Sequence, residues 1–370
     1  MRDYLDYLVR TAAIAQRQLS VLLPKLREAG TMKAMVLEKI SPVEEKPLRL
    51  VDFPKPAPEQ GQILVRVTAC GVCHTELDEI EGRVAPSRFP MILGHEIVGR
   101  VEALGPGASK FKKGDRVGIA WINWACGRCS FCRKDEENLC GMAQWTGKDA
   151  YGGYAQYTVV SEDFTYPIPE SFTDVKAAPL LCAGVIGYRA LRLSGMEDGR
   201  VLGLYGFGAS AHIVIQVGKF KYPNGKFFIF TRPHQKEHQN LARKLGANWI
   251  GTTDDVPPEK LDCAIDFTPV GVSVREALRN LQKGGRVVIN AIRKATPIPE
   301  LDYTEHIWYE KEMKSVANVT RKDAQEFLPL AAAIPVVPET QEFKLEEANE
   351  ALIMLKEGKM RGAGVLRITE

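Results

Sequence analysis

From Met32 to about Val160 the apolar positions fall in short runs rich in β-branched side chains: AMVLE, LRLVDF, QILVRVTA, IVGRVEAL, DRVGIAW and YAQYTVV. Pro54-Lys55-Pro56, Gly105-Pro106-Gly107 and Gly114-Asp115 separate them. Short strands punctuated by Gly and Pro predict a β-rich, barrel-like domain. A helical tract follows, capped at Thr173 or Asp174 and running through to Leu193. After Gly199 the rhythm changes. VLGLY, KFFIF, WIGT, LDCAIDF and GGRVVIN are continuous apolar runs, and amphipathic spacers such as HQNLARKLGA and VSVREALRNLQKG lie between several of them. Strands apolar on both faces and alternating with helices predict a doubly wound parallel sheet, so the fold class is α/β. The tail, from about Phe327, predicts a helix over FKLEEANEALIMLKEGK and a closing strand, GVLRI.

Residues 1–31 read as a separate helical extension. Leu5, Val9, Ala12 or Ala13, Leu19 and Leu23 form an apolar stripe, which Pro24 kinks or ends. A surface helix, an upstream start-site artefact and a helix that packs on a neighbouring subunit are the open readings. Asp3, Asp6, Arg10 and Arg17 interrupt any signal-peptide core. The most apolar stretch, Ala177 to Tyr188, contains Pro179 and is shorter than the ~20 residues a bilayer-spanning helix needs. The formal charge is +3 with no concentrated basic tract. Neither a nucleic-acid nor a membrane partner is expected, and a cytoplasmic location is. Thiols in that compartment stay reduced, so eight cysteines call for a metal or catalytic explanation before a disulfide one.

Cys126, Cys129, Cys132 and Cys140 form C-x2-C-x2-C-x7-C. Four thiolates gathered by tight turns suit a closed tetrahedral zinc site, which stabilises a loop and has no open position. An iron–sulfur cluster fits less well, because the common bacterial run ends with a three-residue spacer and a proline. Elsewhere GVCHTELDEIEGR carries Cys73, GHEIVGRVEALG carries His95 and Glu96, and PLLCAGVIGYRAL carries Cys182. Two sulfurs and an imidazole would leave one zinc position free for substrate. Taken singly, Cys182 also reads as a small core residue and His95 as a structural one. Strand VLGLY runs into Gly206-Phe207-Gly208-Ala209-Ser210-Ala211 and then the apolar HIVIQVGKF. A glycine turn between strand and helix is a dinucleotide fingerprint: Gly206 permits the turn, Gly208 lets the backbone approach a pyrophosphate, and Ala211 replaces the third glycine.

In these segments, together with GDRVG, GGYAQY and the glycine motif, the chain resembles the zinc-containing alcohol dehydrogenases of the medium-chain dehydrogenase/reductase superfamily, from about Met32 to Ile368. The resemblance implies a GroES-like β-rich catalytic domain (32–182 with 327–370) and a Rossmann dinucleotide-binding domain (183–326). It implies reversible hydride transfer between an alcohol and NAD(P), with two zinc ions per chain. Cys73, His95 and Cys182 would be the catalytic zinc ligands, with Glu96 an exchangeable fourth or supporting carboxylate. Glu76 would orient the ligand histidine and Thr75 would take the alcohol proton. Relatives often carry a relay histidine where this chain has Asp78, which reads either as a substitute relay or as a solvated loop carboxylate. Trp121 would line the substrate pocket or serve as a core indole. The strand KFFIF ends in Thr231-Arg232 without the acid that NAD-preferring members use, so NADP is favoured over NAD, with His234, Lys236 and His238 adding positive character. Ala363 stands where relatives place a pyrophosphate arginine, and Arg361 is its possible substitute. A small alcohol or aldehyde substrate and a homodimer or homotetramer are also implied. The alternatives are a polyol or formaldehyde-adduct dehydrogenase of the same family, and a non-catalytic zinc protein that kept the fold.

Overall fold

The structure is a computed structural model that describes residues 30–369. The helical reading of residues 1–31 therefore lies outside the described residues except at its end, where Thr31 already belongs to the first strand. Ten strands come first: β1 (Thr31–Leu37), β2 (Leu48–Pro54), β3 (Gln62–Val72), β4 (Met91–Ile92), β5 (Ile97–Leu104), β6 (Arg116–Ile119), β7 (Ile122–Trp124), β8 (Gln144–Trp145), β9 (Tyr157–Ser161) and β10 (Thr165–Pro167). One helix, α1 (His74–Ile80), interrupts them after β3. Long, mostly buried β3 organises this half, pairing with β5 and β9 and, antiparallel, with the last strand of the chain.

The tract expected as one helix from Thr173 is broken in the structure. Thr173 Oγ1 caps α2 (Asp174–Ala177), a 3-10 turn spans Ala178–Leu181, and α3 (Ala183–Ser194) begins only after Cys182, whose φ/ψ of −125°/−77° is not helical. Pro179 lies within the 3-10 turn and cannot donate to a continuous ladder. The break sets the backbone direction at Cys182.

Beyond α3 come β11 (Val201–Tyr205), α4 (Ala209–Lys221), β12 (Lys226–Thr231), α5 (Lys236–Lys244), β13 (Trp249–Thr252), β14 (Leu261–Asp266), α6 (Val272–Asn280), β15 (Leu281–Ile289) and β16 (Glu312–Ser315). They form a six-stranded, wholly parallel sheet in the order β13-β12-β11-β14-β15-β16. The order reverses at β11, and ligands bind outside the carboxyl ends of strands at such a switch point. The chain then returns through α7 (Arg321–Ala333), β17 (Thr340–Lys344), α8 (Ala348–Lys356) and β18 (Ala363–Arg367), and β18 joins β3. The phenylalanine and lysine at the start of FKLEE belong to β17, not to the helix expected there. The boundary read at 326/327 falls inside α7, whose buried Asp323 accepts from Arg189 (2.7 Å) and Arg192 (2.6 Å) of α3. These ion pairs tie α7 to α3. Among the described residues no helix is long and apolar enough to cross a membrane.

Candidate active site

Cys73 ends the extended run of β3 and is the N-cap of α1. Its backbone N–H donates to Glu76 Oε2 at 2.8 Å, three residues into the helix. The other oxygen of the same carboxylate lies 2.6 Å from His95 Nδ1, at an angle too bent for a linear hydrogen bond. One wholly buried acid thus fixes the placement of both a thiol and an imidazole. His95 and Glu96 lie between β4 and β5, and Gly71 makes room for Glu96: a Cβ at residue 71 would stand 1.8 Å from Glu96 Oε2.

Cys73, His95, Glu96 and Cys182 come together with one donor atom each, all within 4.8 Å of one another. The Cys73 and Cys182 sulfurs are 3.9 Å apart. A regular tetrahedron with Zn–S arms of about 2.3 Å has edges of about 3.8 Å. His95 Nε2 is buried with no hydrogen-bond partner among the described residues. An orphaned imidazole nitrogen beside two thiols at tetrahedral spacing fits a zinc ion. The hydrogen bond from Cys182, helped by His95, outweighs the opposing effect of burial and holds the Cys73 thiol well below its ordinary range. Burial opposes charge on His95, but the Glu76 carboxylate and the Cys73 sulfur outweigh it and raise the basicity of the ring.

Thr75 is buried with Oγ1 3.7 Å from Cys73 Sγ, so its hydroxyl stands at the rim of this donor set. The Trp121 ring lies 5.8 Å from that of His95 and 5.1 Å from that of Trp145. It is partly exposed and its buried Nε1 has no partner among the described residues. Asp78 is neither in a loop nor solvated. It lies on α1, its side chain only 4 % exposed, and it accepts from Arg83 and, at 2.8 Å, from Arg293 Nε. The sequence reading missed both arginines and also Glu79, a fully buried acid whose two oxygens have no partner among the described residues. Burial, reinforced by the Glu76 carboxylate, pushes Glu79 well above the carboxylate range.

The second cysteine set is equally compact. Cys126, Cys129, Cys132 and Cys140 bring their sulfurs within 4.8 Å of one another, with Cys126–Cys132 at 3.9 Å and Cys129–Cys132 at 3.5 Å. These separations are far beyond a disulfide bond and near the tetrahedral edge. Backbone N–H groups of Arg128 and Cys129 hold the Cys126 thiol down at about 6, in thiolate territory. The lobe is bolted to the return segment after β16: Asn138 Nδ2 donates to the Ala317 carbonyl at 2.6 Å, and Arg321 donates from both N (2.8 Å) and Nε (3.1 Å) to buried Glu137.

At the switch point, Gly206 has φ of +86°, a conformation side chains rarely adopt, and a Cβ on it would lie 3.1 Å from Thr268. Gly208 is the N-cap of α4, and a Cβ there would meet nothing within 4 Å, so the helix terminus is open to a phosphate. Ala211 is fully buried against the core. At the end of β12, Thr231 is buried and accepts from Gln239 at 3.1 Å. Arg232 is exposed: its backbone is held by Gln235 and Gln239, and its guanidinium has no acceptor among the described residues. His234 and Lys236 are exposed beside it. Ala363 is buried opposite Thr340 and Arg361 is exposed.

A β-rich unit with an open Cys–His–Cys set, joined to a parallel sheet with a glycine turn at its switch point, defines a zinc- and dinucleotide-dependent oxidoreductase. The sequence model described as "Alcohol dehydrogenase GroES-like domain" matches residues 59–170. The chain is 42% identical over 344 residues to "Probable alcohol dehydrogenase AdhA" of Mycobacterium tuberculosis, covering 92% of this chain and 98% of that one. It is 34% identical over 350 residues to an alcohol dehydrogenase of Geobacillus stearothermophilus, covering 92% and 100% respectively. Among solved structures, a cinnamyl alcohol dehydrogenase from Sorghum bicolor superposes with a TM-score of 0.80 at 27% identity, covering 91% of this chain and 97% of that one. The chain belongs to the zinc-containing alcohol dehydrogenase family of the medium-chain dehydrogenase/reductase superfamily. It is an oxidoreductase acting on small-molecule alcohols with zinc and NAD(P) as cofactors.

Proposed function

We propose that Cys73, His95 and Cys182 hold the zinc at which substrate reacts, that Glu96 is its exchangeable neighbour, and that the cysteine quartet holds a second, structural zinc. The paired thiols at tetrahedral spacing around a partnerless His95 Nε2 carry this reading. When bound, zinc supplies Lewis acidity to an alcohol or carbonyl oxygen and the dinucleotide supplies or takes the hydride. The chain's own residues do the rest. Glu76 keeps α1 and the His95 ring in fixed relation, so the donor set is preorganised. The Thr75 hydroxyl accepts the substrate proton at Oγ1, and Trp121 presents an apolar wall suited to small or flat alcohols. Gly206, Gly208 and Ala211 shape the turn that takes the pyrophosphate.

NADP is the preferred dinucleotide in this reading. Thr231 offers no carboxylate to a ribose diol, and the free Arg232 guanidinium suits a 2′-phosphate. The zinc-bearing unit comprises 32–182 with 327–370 and the nucleotide unit 183–326, with α7 shared between them. The chain acts as a homodimer or homotetramer: β16 is one of the two edge strands of its sheet, all four of its residues are exposed, and exposed Trp308 and Tyr309 precede it. A cytoplasmic site of action suits eight free thiols. The test is a spectrophotometric screen of primary, secondary and aromatic alcohols against NAD and NADP, before and after chelation, with elemental analysis. The expected result is two zinc equivalents and turnover faster with NADP. One equivalent confined to the cysteine lobe, with turnover undiminished, refutes the assignment.

A further inference from the structure

The loop after β15 carries two consecutive cations that bind in opposite directions. Lys294 reaches back within the nucleotide unit: it pairs with the fully buried Asp266 at the carboxyl end of β14 and donates to the Thr268 carbonyl at 2.6 Å. Thr268 is the residue whose methyl group abuts Gly206 of the nucleotide turn. Ala295 N donates to the Pro269 carbonyl at 2.6 Å, so the loop is seated on the segment after β14 that carries Thr268. Arg293 reaches the other way, across the cleft, and donates from Nε to Asp78 Oδ1 on α1 at 2.8 Å. Asp78 is tied on its other side to Arg83, which also pairs with Glu81, and Glu81 accepts from Lys356 of α8 at 2.5 Å. A chain of contacts thus runs from the glycine turn, through the Thr268 methyl group that packs on it, the polar contacts of Lys294 and the adjacent Arg293, to Asp78 on the helix that Cys73 caps. The half-exposed Arg293 guanidinium thus pairs with a buried carboxylate of the opposite unit.

We propose that Arg293 is a positioning residue: through Asp78 it sets the helix bearing Cys73 and Thr75 against the seated dinucleotide, and so controls the approach of the carbinol carbon to the nicotinamide. This rests on the dinucleotide reading of the Gly206–Ala211 turn. Arg293 touches no reacting atom. It acts on the relative placement of the two units, and hydride transfer is steep in that placement, with about a hundredfold loss for an error of about 1 Å. Asp78 belongs to this connection, and its carboxylate is committed to two guanidinium groups instead of being free to pass protons.

The experiment uses zinc-loaded protein with NADPH as the probe. Nucleotide affinity is read from quenching of tryptophan fluorescence, and the response of α1 from hydrogen exchange in a peptide covering 73–83, with and without NADPH. In the wild type, NADPH slows exchange in that peptide. In Arg293→Gln, NADPH binds within about threefold of wild type but the protection is lost; with oxidised NADP as hydride acceptor, kcat for alcohol oxidation falls at least about tenfold and the isotope effect from a carbinol-deuterated alcohol rises. Arg293→Lys recovers part of both, and the double variant Asp78→Asn/Arg293→Gln is no slower than the slower single. Wild-type protection and a kcat within about twofold in Arg293→Gln overturn the proposal, as do singles whose effects multiply in the double. If neither NADPH nor NADH binds the wild-type chain, the reading of the turn falls and takes the coupling with it. If the nucleotide binds without coupling, only the coupling falls.

Discussion

Replacing Glu76 by alanine separates two effects that one carboxylate holds together. Oε2 accepts the Cys73 amide at 2.8 Å in a part-buried contact, and Oε1 approaches His95 Nδ1 at 2.6 Å where both side chains are fully buried. Losing the first contact strands a part-buried N–H at a helix start, a cost of about 1 kcal/mol. That lowers Tm by about 2–4 °C for each kcal/mol. Losing the second frees the ring that supplies Nε2, and loss of such a supporting partner weakens metal binding by about 10–100-fold. At about 1.4 kcal/mol per tenfold, that is about 1.4–2.8 kcal/mol of zinc affinity. Titration against a chromogenic chelator measures it directly: the variant releases its first zinc equivalent to about 10–100-fold weaker competition while the cysteine-lobe equivalent stays put. Glu76→Gln keeps an acceptor for the Cys73 amide, so its melting temperature recovers more than its zinc affinity. If the alanine variant retains both equivalents with unchanged competition curves, the contact with His95 has no influence on the metal and the argument built on it is wrong.

Cys182→Ala removes one sulfur from the open set without touching the glycine turn, so turnover is expected to vanish while NADPH still quenches tryptophan fluorescence; retained turnover in a metal-verified preparation contradicts the ligand role. Arg232→Gln removes the free guanidinium at the end of β12 and is expected to cut kcat/KM with NADP by about 10–100-fold while leaving NAD nearly unchanged, as for loss of a charged hydrogen bond; equal losses with both refute the 2′-phosphate reading. Burial pushes the Glu81 carboxyl up, but hydrogen bonds from Lys356, Arg83 and the Val43 amide outweigh it and hold the group at about 2. Its contribution to stability is therefore present above the unfolded carboxylate range near 4.5 and is lost as pH falls toward 2. Glu81→Gln should flatten chemical-denaturation stability across that window, and an unchanged slope refutes the assignment.

Much of the fold was legible because the determinants are local. Runs apolar on both faces announced β11, β12 and β14, and close cysteine spacing announced the lobe. The break at Cys182 was not read, although Pro179 signalled it, because the flanking residues keep helical periodicity through the interruption. The polar edge strand β16 was missed because all four of its residues are exposed and carry no apolar alternation. Asp78 shows the deeper limit. Its partner Arg293 is 215 residues away, and neither the acid nor the arginine has a local pattern that points to the other. Glu79 is harder still, a lone acid on a short helix whose burial depends on everything packed around it.

The bolts from Asn138 and Glu137 to residues 317 and 321 give the cysteine lobe a reach beyond its own loop. They grip the polypeptide where it leaves the nucleotide sheet and turns back toward the barrel. If the quartet holds the structural zinc proposed for it, removing that ion slackens the crossing point between the two halves, so a lobe remote from the reacting atoms governs how firmly the halves are held. Any attempt to trim this chain to a smaller scaffold by deleting the lobe must supply another clasp for that crossing.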